Sequence, residues 1–113
     1  MRMRLLIPFI AVGLSVAPAL AQSGAPSFPP GTSYSEARDS LIGLGWSPVT
    51  LPGSDRCSRN DERCAGRPEM HACSGTGLAP CAFTWRRGDT LIEVLTVGER
   101  PVVNGARCRA GCR

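Results

Sequence analysis

From Cys81 to Val97 the chain reads CAFTWRRGDTLIEVLTV. Its first half alternates, with Cys81, Phe83 and Trp85 set against Ala82, Thr84 and Arg86, the period of two that a strand with one buried face requires. Its second half, TLIEVLTV at 90–97, is rich in β-branched residues. Between them Arg87-Gly88-Asp89 supplies the kind of residues that reverse a chain tightly. The spacing predicts a β-hairpin with strands at about 81–86 and 90–97. A two-stranded hairpin is at best marginal alone, so the rest of the chain must cover its apolar face.

The cover is found upstream, in TSYSEARDSLIGLGWSP at 32–48. Ser33 followed three residues later by Glu36 fits a capping box. Tyr34, Ala37, Leu41 and Leu44 then form one stripe of a 3.6-residue period. Gly45 stands where a left-handed residue ends a helix, and Pro48 blocks continuation. The pattern predicts a helix over Tyr34–Leu44. Trp46 to Thr50 is β-prone, with Pro48 confining it to an edge. Pro68 to Cys73 reads as one helical turn, Pro suiting its first position. PVV at 101–103 reads as a short edge strand and the polar tail NGARCRAGCR as irregular.

The expected fold class is therefore α+β, one N-terminal amphipathic helix packed on a small antiparallel sheet of three to four strands. The expected core is Tyr34, Ala37, Leu41, Leu44, Trp46, Phe83, Trp85 and one face of Leu91 to Val97. Trp46 and Trp85 are placed there rather than on a sugar- or partner-binding surface.

The N-terminus carries a different message. Arg2 and Arg4 precede an apolar run from Leu5 to Val16, and Ala19-Leu20-Ala21 gives the small-x-small pattern read by a signal peptidase. The run is shorter than the ~20 residues a bilayer span needs. Residues 1–21 are read as a cleaved Sec-type signal, 22–32 as a flexible Pro/Ser/Gly-rich lead, and 33–113 as one small domain. The expected location is the periplasm or the exterior of the cell, with no transmembrane anchor after cleavage. Every base is Arg, with 13 Arg and no Lys against nine acids in the full chain. Without Arg2 and Arg4 the excess is small and mixed with acids, which argues against nucleic acid as a partner.

A domain of this size is marginal on its core alone. The six cysteines, Cys57, Cys64, Cys73, Cys81, Cys108 and Cys112, form an even set in a short exported chain and read as a disulfide framework. Short loops set the order of preference. Cys73–Cys81 comes first and Cys57–Cys64 second; Cys108–Cys112, or a tail cysteine paired back to the Cys57–Cys64 loop, comes third. Closing a loop of about nine residues contributes roughly 2–3 kcal/mol on the chain-entropy model.

Two stretches hold the candidate functional residues. LPGSDRCSRNDERCAGRPEM at 51–70 is polar, with four Arg and four acids between Asp55 and Glu69. Loops this long are usually functional, disordered or, as here, stapled. Asp61-Glu62 reads as solvated. CSGTGLAPC at 73–81 has glycines that serve either an anion cradle or a tight turn tied off by a disulfide. No helix follows to aim a dipole at an anion, and no Lys is present for a Walker loop. Zinc is disfavoured by the absence of a close C-x2-C pair and by a single His, and redox work by the absence of C-x-x-C. Any His-based catalysis would rest on His71 alone. The RGD tripeptide at 87–89 is an ordinary turn sequence.

The order YSEARDSLIGLGW, RPEMHACSGTGLAPCAFTW and LIEVLTVGERPVV resembles a type of small exported bacterial protein of unknown function. The residues that carry the resemblance are Ala37, Arg38, Leu41, Gly45, Trp46, Pro68, Glu69, Cys73, Gly75, Gly77 and Cys81. It covers about 34–103 and implies a compartment and an α+β fold, but no activity. Cys57, Cys64, Cys108 and Cys112 lie outside that pattern. The expected function is non-catalytic, an interaction, inhibitory or envelope-associated module. It is expected to act as a monomer on an envelope or extracellular protein, without cofactor or metal. Its expected contact residues are Arg56, Arg59, Arg63, Arg86, Arg87 and His71, because stapled loops on a rigid scaffold carry recognition. The alternative is a small periplasmic enzyme or anion-binding protein using His71 and the 74–77 loop.

Overall fold

The computed structural model of the chain describes residues 6–13 and 24–112. The expected cleavage point after Ala21 and the start of the lead at Gln22 lie outside the described residues. Helix α1 spans Tyr34–Gly43, and five strands follow: β1 Ser47–Pro48, β2 Met70–Cys73, β3 Cys81–Arg87, β4 Thr90–Val97 and β5 Val102–Ala110. They form one antiparallel sheet, five strands where three to four were expected. No helix among the described residues is long and apolar enough to cross a membrane.

The hairpin is the centre of this sheet. β3 and β4 pair from Arg87↔Thr90 to Cys81↔Thr96 around a two-residue turn, with Gly88 at φ 57°. The residues that alternation assigns to one face, Phe83, Trp85, Ile92 and Val94, are all fully buried. Helix α1 covers them with Tyr34, Ala37 and Leu41, and Tyr34 stacks on Phe83 with ring centroids 3.8 Å apart. Trp46 closes one side of the same cluster.

The helix begins as its capping signal predicts: the Ser33 hydroxyl accepts from the Glu36 N–H at 3.2 Å. It ends one residue early. Leu44, expected in the core, is the C-cap and is 57% exposed. The chain turns back through Gly45 (φ 87°), and the Trp46 N–H reaches the Leu41 carbonyl at 2.9 Å. Trp46 thereby takes the buried position that the helical period assigned to Leu44.

Two other expectations fail for a common reason. Residues 70–73 are strand β2 and not a helical turn, and residues 102–110 are a nine-residue strand and not a short edge piece with an irregular tail. β3 and β4 each have an outer edge whose N–H and C=O groups need partners. β2 fills part of the β3 edge, and β5 runs the length of β4 with register shifts at Leu91/Ile92 and Leu95/Thr96. Those irregularities let a polar sequence follow a twisted neighbour.

β1 and β2 share the outer edge of β3 end to end. β1 pairs with Trp85 and Arg86, and β2 with Cys81 to Phe83. At the junction Thr84 stitches both. Its carbonyl accepts from Val49 N–H, its N–H donates to the Glu69 carbonyl, and its hydroxyl donates to the Val49 carbonyl at 2.7 Å. The long charged loop thus leaves and rejoins the sheet at one residue.

The lead, read from composition as flexible, lies in its described part against the domain. Ala25 and Phe28 pack on the core cluster, and Val103 N–H donates to the Thr32 carbonyl. Three disulfides close the molecule: Cys57–Cys64, Cys73–Cys81 and Cys108–Cys112.

Candidate functional site

Twenty-one residues separate β1 from β2, and between Val49 and Glu69 their backbone has no ladder to join. One residue organises them. The Arg63 guanidinium grips Asp61 with two contacts, Nε–Oδ1 at 2.9 Å and Nη2–Oδ2 at 2.8 Å, a bidentate geometry. Its remaining donor group, Nη1, reaches the carbonyls of Ser74 (2.7 Å) and Ala79 (3.2 Å) in the 73–81 loop. The Arg63 hydrogen bond holds the Asp61 carboxyl below its ordinary range, and the same contact raises Arg63. Arg63 therefore serves as an internal strut, and Asp61, expected to be solvated, is its partner. Glu62 beside it remains exposed.

The strut joins two loops into one end of the molecule. Residues 55–60 of the first are exposed without a break, Arg56 and Arg59 included. A cleft of about 360 Å³ runs between the loops, lined among others by Arg59, Glu62, Gly75 and Glu99. Beside it a second of about 490 Å³ is lined by Asp55, Arg56, Asp61, Arg63, Cys64 and Cys73. Arg86 and Arg87 are not brought there. They lie at the far end of β3, where Arg87 stacks over the Trp46 ring at 4.5 Å and donates to the Leu44 carbonyl.

The glycine loop behaves as a tied turn. Ser74 N–H donates to the Pro80 carbonyl, Ala79 N–H to the Thr76 carbonyl, and Gly77 takes φ 62°. What it presents inward is carbonyl oxygen to a guanidinium, the reverse of the converging N–H groups that make an anion nest.

His71 is half-buried on β2. Its Nδ1 lies 3.0 Å from the Ser54 hydroxyl, and its carbonyl accepts from Asp55 N–H, so it anchors the outgoing limb of the loop. A Ser–His pair is the start of a hydrolytic site. Here, among the described residues, no carboxylate hydrogen-bonds the ring to orient it. Among the described residues no hydrogen bond joins His71 to the 74–77 loop.

The side chain that sequence reasoning missed is Glu69. It is fully buried beneath α1. Its Oε1 accepts from the Tyr34 hydroxyl at 2.9 Å and from Arg38 Nε at 2.6 Å, and the Tyr34 oxygen accepts in turn from Trp85 Nε1 at 3.1 Å. Among the described residues Oε2 has no hydrogen-bond partner. Burial, and then the neighbouring carboxylate, push the Tyr34 phenol far above its ordinary range, while the Glu69 contact raises Arg38. Arg67 lies 4.8 Å from the Tyr34 ring centre and donates to Ser35 and the Arg63 carbonyl. The cluster locks the returning limb of the loop to the helix. The Pro-Glu pair preceding an apolar strand was the available signal, but a Glu in a run of charges reads as solvated.

Asp61, Cys64 and Cys73 place a carboxylate oxygen and two sulfurs within 4.8 Å of one another. Both sulfurs belong to disulfides, and the carboxylate is held by Arg63, so the trio as it stands offers a metal no thiolate.

No family model, curated protein or solved structure matches this chain.

Proposed function

We propose that the protein is an exported, non-catalytic interaction module whose contact surface is the outer limb of the β1–β2 loop, with Arg56 and Arg59 as its leading contacts. One observation carries the reading. A run of exposed charged and polar residues, 55–60, is mounted on a bridge, a bidentate ion pair and a buried carboxylate. A loop held this firmly loses little entropy when a partner docks. Three disulfides in a small domain fit a periplasmic or extracellular site of action, as the signal-like N-terminus of the sequence does. The mixed charge of the limb, Asp55 and Glu62 among arginines, suits a protein partner of patterned charge better than a uniform polyanion.

The test compares capture of partners from an envelope extract by the wild-type protein, by Arg56→Glu/Arg59→Glu and by Arg86→Ala/Arg87→Ala. Retention by the wild type and the second variant, with loss in the first, is expected. Equal retention by all three overturns the assignment of the surface.

A further inference from the structure

Two of the three disulfides are neighbours. Cys64 Sγ and Cys73 Sγ, from different bridges, lie within 4.8 Å of each other. Both line one solvent-reaching cleft, whose charged lining residues are Asp55, Arg56, Asp61 and Arg63. The outer partner of the first bridge, Cys57, is exposed. The inner partner of the second, Cys81, is 3% exposed. The two bridges therefore meet through Cys64, 2% exposed, and the half-buried Cys73, with the exposed Cys57 at one end of the chain of sulfurs and the buried Cys81 at the other. The gap between the bridges needs only a small approach of a loop.

We propose that these bridges form a thiol–disulfide exchange relay whose substrate is a dithiol. A thiolate of the dithiol attacks Cys57 Sγ, forming a mixed disulfide and releasing Cys64 as thiolate. The second thiol of the substrate attacks its own sulfur in that mixed disulfide. This releases Cys57 as a thiol and leaves the substrate oxidised. The Cys64 thiolate attacks Cys73 Sγ, making a Cys64–Cys73 bond and breaking Cys73–Cys81. Cys81 leaves as thiolate and takes a proton from solvent. Two electrons have entered at an exposed cysteine and emerged at a buried one. Arg56 on the same cleft supplies positive charge to the transient thiolate, whereas Arg63 is already paired with Asp61, whose carboxylate lies within 4.8 Å of both sulfurs. Exchange proceeds by such attack through mixed disulfides, and access decides which sulfur is struck. The Cys108–Cys112 bridge, near the opposite end of the β3–β4 hairpin, stays outside the relay.

The experiment treats the folded, fully oxidised protein with a single equivalent of dithiothreitol, quenches in acid at intervals, alkylates, and maps the linked peptides. A Cys64–Cys73 link with label on Cys57 and Cys81 is the expected two-electron product, and Cys64→Ser should abolish it. Label only on intact pairs, Cys57 with Cys64 or Cys73 with Cys81, and no Cys64–Cys73 link at any time, overturns the relay. Cys57→Ser gives a second route, since it leaves Cys64 without its partner from the start. Label on Cys81 supports exchange, and label confined to Cys64 refutes it. Neither result bears on capture through Arg56 and Arg59, so the relay and the docking surface fail separately.

Discussion

Residues 55–66 and residues 104–112 are both polar, both carry arginines, and both are closed by a short disulfide, Cys57–Cys64 in one and Cys108–Cys112 in the other. The first remains a loop, while most of the second is strand β5. The difference lies in what each met. β4 offered a free edge of eight residues, and backbone groups that would otherwise face water found a ladder there. The outer edge of β3 was already divided between β1 and β2. The loop between them had to satisfy its backbone with turns and side chains: Arg67 donates to the Arg63 carbonyl, Thr50 to that of Pro68, and Asp61 accepts from the Arg63 N–H. Ladder or no ladder decided the outcome, and polarity did not.

The comparison can be broken at the point where loop and core meet. Glu69→Ala removes the acceptor of Tyr34 and Arg38 in a fully buried site. Removing one partner of a buried pair costs about 3–5 kcal/mol, so a large fall in Tm is expected by thermal or denaturant unfolding. A change below ~1 kcal/mol would show the cluster to be dispensable. Arg63→Ala sharpens the contrast at lower cost, about 1.5–3 kcal/mol for hydrogen bonds to a charged group. Hydrogen exchange should then accelerate across 55–66 while β5 keeps its protection. Equal acceleration in both regions would mean that the loop is not held independently. The smallest effect is expected in the tail. Arg109→Ala deletes a 3.4 Å contact to Glu93 at a partly exposed site, worth about 1 kcal/mol or less. A larger loss would mean that side chains, and not the ladder, hold β5.

Legibility in the sequence followed the same divide. The hairpin, the helix and its Ser33 cap could be read because their signals are local: alternation, a stripe, a capping residue. The buried places of Phe83, Trp85, Tyr34 and Leu41 followed from those periods. Leu44 was misplaced because the period continues past the residue where Gly45 turns the chain. β2 and β5 were hidden because nothing in MHAC or NGARCRA alternates clearly. They become strands through neighbours far away in sequence. In the candidate site the three bridges and the exposure of Arg56 and Arg59 were within reach of spacing and composition. The inward turn of Arg63 and Asp61, the burial of Glu69 and the meeting of Cys64 with Cys73 were not. Each depends on where two loops come to rest relative to one another.

The stitch at Thr84 has a consequence for how such a chain can change over generations. Val49 and Glu69 both bond to that one residue, so the intervening segment begins and ends at a single point on the sheet. Lengthening a loop whose ends are already fixed costs only about 0.6 kcal/mol per doubling. Insertions or replacements in the exposed limb between Arg56 and Asn60 would leave the helix and the five strands as they are, so long as Asp61, Arg63 and the buried Cys64 keep their contacts. The domain is in this sense a holder with an exchangeable cassette, and new binding preferences could be tried on it without re-solving the fold.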